Sequence, residues 1–513
     1  MISFVKKVIW ASCLIVFSIC SANSSEAKPQ SITGHSTVSS KQKSSDFFKA
    51  SNKRKLSDLV FGVVKRQKTE SGSKISRNAD SRRVVVDINE GVMKPVNIAL
   101  HIYDNSQSLE EEFLSVIKDD LQSTGLFKAI PNAAFMQKLQ GVDQIPDFDS
   151  WRIIKTEYLM NAEVKQVGDN ISIGFALYDV SSCSKIHIFS LSGRREEWRK
   201  MAHKVANAIY QRVVGEEGYF DTKVLYVATE KDKRGLKKYR LALMDQDGYN
   251  NQFLTSGNTV VLTPRFSPNG REFSFFSYRE KIVNGRRVPL DAQIYRYDLR
   301  KRKMTRMLNM KGITYAPRYS PNGRYLIFSR SEKNSKGRSV SSIYRYDILK
   351  GKVKRLNDDA HKYICIDTSP CYSPDGKYIV FNSDRGGNQQ LYIMDADGFN
   401  VRRLSFGNGR YATPVWSPRG DWIAFTKFGK DGFYIGIIRP NDVSGSTERM
   451  IAAGYLVEGP TWAPNGRVVM YTQQDYARHE QVYSVDITGH NKQLVKTKGN
   501  AIDPEWSANT NLK

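Results

Sequence analysis

Pro370-Cys371-Tyr372-Ser373-Pro374-Asp375-Gly376 is one copy of a unit, Pro-x-aromatic-Ser/Ala-Pro-x-Gly, that recurs through the second half of the chain. It stands also at Pro264 to Gly270, Pro317 to Gly323, Pro414 to Gly420 and Pro460 to Gly466, and a decayed sixth copy begins Pro504-Glu505-Trp506-Ser507. The Ser/Ala positions are 267, 320, 373, 417, 463 and 507, at intervals of 53, 53, 44, 46 and 44 residues. Periods of this size belong to propeller blades, small four-stranded sheets set radially around a channel.

The third unit can be read strand by strand. Cys371 to Ser373 is a short inner strand, Pro374-Asp375-Gly376 a tight turn and Tyr378 to Asn382 a second strand of alternating character. Gln390 to Asp395 is the third strand, Asp397-Gly398 the next turn and Val401 to Leu404 the outer fourth, with glycine where the hairpin turn needs a positive φ. The sixth unit ends just where the others supply their second strand. Lys223 to Thr229 has that second-strand character with no motif before it. Moved to the end it completes the last blade, so the spacing predicts an all-β six-bladed β-propeller over 223–513, closed by strand addition from the N-terminal side, which removes exposed edges.

Upstream, strands alternate with helices. Val84 to Ile88 and Val96 to Tyr103 are β-branched and apolar, and Tyr158 to Gln166, Ile171 to Tyr178 and Ile186 to Leu191 read as further strands. Leu109 to Ser123 carries Leu109, Phe113, Val116, Ile117 and Leu121 at helical spacing, and Trp198 to Val214 carries Met201, Val205, Ala208, Ile209 and Val213 likewise. The pattern predicts an α/β N-terminal domain at 84–215 and a linker at 216–222. Residues 28–83 are rich in Ser, Lys, Asn and Gln and read as a basic disordered tether. Residues 1–27 read as a signal peptide: Lys6 and Lys7, an apolar run from Val8 to Ile19, then small residues at Ser21, Ala22, Ser25 and Ala27. That run is shorter than the roughly 20 residues that cross a bilayer. The bulky Ile19 argues against acylation of Cys20.

A formal net charge of +26 favours acidic partners. Nucleic acid ranks lowest among them for an exported chain, and solubility alone is the plain alternative. Beyond the leader lie Cys183, Cys365 and Cys371, an odd number without CxxC spacing, and the seven histidines are scattered, which argues against zinc. Cys365 and Cys371 are close enough to bridge across a turn, yet a domain this large needs no staple. No Gly-x-Ser-x-Gly elbow, HExxH or P-loop occurs. The pairs Asp245/Asp247 and Asp395/Asp397 precede Gly248 and Gly398 and read as turn-forming carboxylates. The sequence therefore points to no catalytic residues, no metal and no cofactor. A propeller hydrolase acting through its channel, and a secreted binding module, are the other readings.

The tandem units, with Leu391-Tyr392-Ile393-Met394-Asp395-Ala396-Asp397-Gly398, resemble the propeller of the periplasmic TolB family. Asp120 to Phe127, Trp198 with His203, and Gly215 to Thr222 are similar to that family's helix end and interdomain junction, so that the resemblance covers about 84 to 513 and leaves the tether outside. It implies a non-enzymatic periplasmic protein of the Tol-Pal system. The propeller would bind the lipoprotein Pal and the N-terminal region TolA, with other outer-membrane or periplasmic proteins as further partners. Attachment to the outer membrane would be peripheral, through Pal. The implied roles are outer-membrane integrity and constriction at division.

Strand direction sorts the loops. The Pro-x-Gly turns and the third-to-fourth-strand turns share one face, and the second-to-third-strand loops and blade connections share the other. On that second face lie the residues before each motif. With the resemblance, Thr263, Tyr315, Ala316, Thr368, Ser369, Thr413, Glu458, Gly459 and Asp503 become the expected Pal contacts. The two long intervals place extra residues at Arg279 to Leu290 and Arg330 to Ser342, read as loops that bring Arg279, Lys281, Arg286, Arg287, Arg330, Lys333, Lys336 and Arg338 to a basic rim.

Overall fold

Alternating apolar positions put the first strands in one sheet. β1 (Val96–Asp104), β2 (Phe127–Ala129), β3 (Tyr158–Val167), β4 (Asn170–Asp179) and β5 (Ser184–Arg194) are ordered β2-β1-β3-β4-β5. β1 pairs parallel with β2 and β3, and β3-β4-β5 run antiparallel. The computed structural model describes residues 94–508 except 105–108, 234, 284–285, 335 and 357–363, and of 281–288 the backbone alone. The leader, the tether and the strand expected at Val84 to Ile88 lie outside the described residues.

Helices α1 (Glu110–Ser123) and α3 (Trp198–Val214) bury their apolar faces on this sheet through Phe113, Val116, Ile117 and Leu121, and Met201, Val205, Ile209 and Val213. A short α2 (Phe148–Ile153), absent from the sequence reading, places Trp151 with Ala99, Leu159 and Tyr178 in a second cluster. α3 stops at Gly215, whose φ of 83° lets its N–H return to the Gln211 carbonyl. The chain then passes so close to the helix that a Cβ on Gly218 would stand 2.7 Å from the Asn207 Cα. No helix among the described residues is long and apolar enough to cross a membrane.

Six four-stranded antiparallel sheets follow. Blades 1 to 5 span Val260–Arg306, Ile313–Arg355, Asp367–Arg403, Arg410–Gly454 and Leu456–Val495. In blade 6, the strand Asn500–Trp506 pairs with Lys223–Lys231, which continues to Lys237–Asp245 and Gln252–Phe253. Trp506 is tied into the junction: its indole N–H donates to Thr222 Oγ1 at 2.8 Å, and its ring meets that of Tyr219 edge-on at 5.6 Å. The core of the N-terminal sheet runs on without a break into Val224, Tyr226, Met470 and Trp506, so propeller and α/β unit share buried surface.

One expectation changes, and one open question closes. The extra residues of blades 1 and 2 are strand rather than loop: Glu272–Val283 pairs with Arg286–Asp298, and Tyr325–Lys333 with Ser339–Asp347. β-branched residues such as Ile282, Val288 and Val340 suit extended backbone. Cys365 and Cys371 are both free and buried, and burial, with the nearby Asp367 charge, pushes the Cys365 thiol up to about 12.

Candidate functional site

Every inner strand of the propeller breaks register at the same place. Leu262 pairs with Phe276 and Arg265 with Ser274, so Thr263 and Pro264 together oppose one residue. The same two-against-one bulge falls at Ala316-Pro317, Ser369-Pro370, Thr413-Pro414, Gly459-Pro460 and Asp503-Pro504. Proline brings no N–H to a ladder, so a bulge is where a strand tolerates it. The residue before it takes a left-handed backbone in all six blades, φ being 48° at Thr263, 50° at Ala316, 54° at Ser369, 47° at Thr413, 64° at Gly459 and 51° at Asp503. Five of the six carry a Cβ in that region, each at a cost of about 1–3 kcal/mol. Strain repeated at one level of one channel marks a surface that the fold holds in a set shape.

The structure therefore unites most of the expected contacts in one ring. Thr263, Ala316, Ser369, Thr413, Gly459 and Asp503 are the bulge residues themselves, all small or short. Thr263, Ala316, Ser369 and Thr413 are half-buried, whereas Gly459 and Asp503 are buried. Asp503 Oδ2 accepts the Thr263 backbone N–H at 3.1 Å, joining blade 6 to blade 1. Tyr315, Thr368 and Glu458 stand one residue earlier and are buried, with the Tyr315 hydroxyl 2.8 Å from Ser341 Oγ.

Beside the ring, the residues after the prolines contact one another between blades. Arg265 Nη1 lies 3.5 Å from Glu505 Oε2, Arg318 Nη1 lies 3.5 Å from Glu505 Oε1, and Thr461 Oγ1 donates to Glu505 at 3.3 Å. Blades 2 and 6 flank blade 1, so the Arg318–Glu505 contact spans the inner strand of the blade between them. Burial, then the neighbouring Arg318 charge, lowers the Arg265 pKa. One carboxylate thus holds two guanidiniums together.

The expected rim divides. Lys333, Lys336 and Arg338 are exposed on the blade 2 hairpin, and Arg279 pairs with Asp291 on that of blade 1. Arg330 instead turns inward, donating to the Lys311 carbonyl at 2.9 Å and pairing with Glu332 at 3.3 Å. The side chains of Lys281, Arg286 and Arg287 lie outside the described residues.

Sequence reasoning missed the buried charges that join the α/β unit to the propeller. His203 Nδ1, on α3, lies 2.6 Å from Asp120 Oδ2, on α1. From blade 6, Gln246 Nε2 donates to Asp120 Oδ1 at 3.1 Å, Asp247 Oδ2 stands 3.8 Å from His203 Nε2, and Arg199 pairs with Asp247. The guanidinium of Arg199 also stacks 3.5 Å over the Tyr249 ring. Asp120, His203 and Asp247 are close enough to hold a cation, but Arg199 already neutralises Asp247 and two donors claim Asp120, which suits a closed ion-pair cluster. Farther along the junction, Glu216 accepts from Arg467 and from Arg419, on the turns of blades 5 and 4. Burial opposes the Glu216 charge, yet the bonds and charges of Arg467 and Arg419 hold its carboxyl below the usual range. Asp247 is therefore more than a turn residue, whereas Asp395 acts as one, accepting from Asn400 at 2.6 Å. The resemblance marks Asp120, His203 and Glu216 by segment, without pairing them.

Comparison with known proteins agrees with this architecture. A family model described as the TolB beta propeller domain matches residues 210–510, and one described as the TolB amino-terminal domain matches 84–186. The Tol-Pal system protein TolB of Rickettsia massiliae (strain Mtu5) is 41% identical over 438 residues, covering 82% of this chain and 94% of that protein. Its counterpart in Rickettsia conorii (strain ATCC VR-613 / Malish 7) is 40% identical with the same coverage. The crystal structure of TolB from Acinetobacter baumannii superposes with a TM-score of 0.69 at 24% identity, over 82% of this chain and 98% of that one, and so shares the fold. With both of its folded parts matched and its curated relatives spanned almost end to end, the chain belongs to the TolB family of the Tol-Pal system.

Proposed function

We propose that the chain is a periplasmic, non-enzymatic scaffold of the Tol-Pal system that binds Pal at the ring of inner-strand bulges and TolA through its N-terminal region, and so supports outer-membrane integrity and constriction during division. The observation that carries this reading is the position of the ring. The α/β unit meets the propeller at turns of the other face, through Asp247, Arg419 and Arg467, contacts that leave the bulge face to a partner. Thr263, Tyr315, Ala316, Thr368, Ser369, Thr413, Glu458, Gly459 and Asp503 are the proposed contacts. The neighbouring hairpin cations would speed encounter with an acidic partner more than they tighten the complex.

The same reading takes 1–27 as a leader, 28–83 as a tether, 84–215 as the α/β domain, 216–222 as the linker and 223–513 as the propeller. Affinity purification from detergent-solubilised envelopes tests it. Pal should co-purify with the chain and be lost when Thr413 and Ser369 are replaced by arginine. Purification without Pal, or with Pal equally retained by that variant, would contradict it.

A further inference from the structure

The third-to-fourth-strand turns of blades 1 and 2 depart from the rest of the repeat. Blades 3 and 6 build this turn on Asp395/Asp397 and Asp245/Asp247, and blade 5 on Asp486. In blades 1 and 2 it reads Asp298-Leu299-Arg300-Lys301-Arg302-Lys303 and Asp347-Ile348-Leu349-Lys350-Gly351-Lys352. The single aspartate of each is spent on the turn itself. Asp298 Oδ1 accepts the Lys301 N–H at 2.8 Å, and Asp347 Oδ1 accepts the Lys350 N–H at 3.1 Å while Oδ2 pairs with Arg324 at 3.3 Å. Arg300, Lys301, Arg302, Lys350 and Lys352 are all exposed, and none has a carboxylate within ion-pair distance among the described residues.

Three features choose the kind of surface these cations meet. They lie on the turn-bearing face, which the α/β unit occupies over blades 4 to 6 through Glu216, Ser123 and Arg199, so among the described residues blades 1 and 2 carry the exposed, cationic part. They sit on convex turn tips rather than in a cleft, a shape that suits a broad layer of charge better than a single side chain. Apolar side chains stand among them: Leu349 is 84% exposed at the tip, with Met304 at 40% and Val353 at 37% on the adjoining outer strands. Lysine and arginine around an exposed aliphatic tip is the composition that lies on an anionic bilayer, the cations in the headgroup phosphates and the apolar group in the interface. Cations on the outer strands, Lys352 among them, also keep an open sheet edge from pairing, but Arg300, Lys301, Arg302 and Lys350 lie in the turns, off that edge.

We propose that the turn tips of blades 1 and 2 form a docking surface for an anionic phospholipid membrane, on the face opposite the bulge ring and independent of any partner bound there. Sedimentation of the full chain with phosphatidylcholine vesicles carrying about 30% phosphatidylglycerol, and with phosphatidylcholine alone, tests it. The chain should bind only the anionic vesicles and release them as salt rises. Replacing Arg300, Lys301, Arg302, Lys350 and Lys352 together by glutamate should weaken binding at least about tenfold, and Leu349→Ser should weaken it severalfold. A control that replaces the basic run Lys53-Arg54-Lys55 of the 28–83 segment by glutamate should retain most of it. The proposal is overturned if the turn variant binds as the wild type does while the 53–55 variant does not, or if uncharged vesicles bind equally. It is also overturned if the turn cations capture an acidic protein and no vesicle. Circular dichroism of each variant, with the Leu349→Ser result, separates lost binding from lost folding.

Discussion

His203 and Asp120 meet at 2.6 Å between two helices of the α/β unit, 3% and 2% exposed, with Asp247 of the propeller on the far side of the imidazole. Burial alone would strip the proton from His203, but the charge and hydrogen bond of Asp120 outweigh it and leave the imidazole pKa raised. Burial raises Asp120 to about 6. Both groups therefore favour the protonated form in the folded state more than in the unfolded one. Such stabilisation is full below the unfolded values and is lost as pH rises through the folded ones. The junction should weaken as pH rises from about 4 through 6, where Asp120 ionises, and further above 6.5, as His203 loses its proton. His203→Gln should be less stable at pH 5, by about 3 kcal/mol, and show a flatter pH dependence in denaturant titrations.

Glu505 holds Arg265 and Arg318 together inside the channel. Glu505→Gln keeps the shape but leaves two half-buried guanidiniums without their shared carboxylate. Stability should fall by about 3 kcal/mol, read by urea denaturation, and Glu505→Asp should recover little because the shorter side chain cannot reach both.

Ala316 adopts φ of 50° at its bulge and carries a Cβ there. Ala316→Gly should relieve that conformation and raise the midpoint of chemical unfolding, by about 1 kcal/mol. Its equivalent in blade 5, Gly459, is already glycine, so Gly459→Ala should cost about the same.

Trp506 ends the strand that meets Lys223–Lys231, and it is 5% exposed against Tyr219 and Thr222. Trp506→Ala should open a cavity where blade 6 meets the α/β unit. Thermal unfolding should register a loss of about 3–5 kcal/mol, and protection from hydrogen exchange should fall first in Lys223–Lys231.

What could be read from the sequence follows from what is periodic. The Pro-x-aromatic-Ser/Ala-Pro-x-Gly copies fixed the blade count because each turn demands the same glycine and each inner strand the same proline. α3 was legible to the residue, since Trp198 to Val214 keeps helical spacing up to a glycine stop. α2, at six residues, is too short to show a period. The hairpins of blades 1 and 2 were taken for loops because charges such as Arg279, Lys281 and Lys333 interrupt their apolar alternation. Of the candidate site, the bulge positions were legible as the residues before each proline. Their left-handed backbone was not, because the residue before a proline ordinarily favours extended conformations. The Asp120–His203–Asp247 cluster could not be found at all by spacing. Its members are brought together only when blade 6 folds against two helices, and a lone aspartate before a glycine reads as turn chemistry.

The central claim is that the bulge ring receives Pal. Calorimetric titration of the purified chain with the soluble domain of Pal measures it directly. The account predicts one-to-one binding, weakened at least about tenfold by Thr413→Arg and Ser369→Arg together and unaltered by the glutamate replacements on the turns of blades 1 and 2. Binding that the ring variant leaves intact, or that the turn variant abolishes, would contradict it.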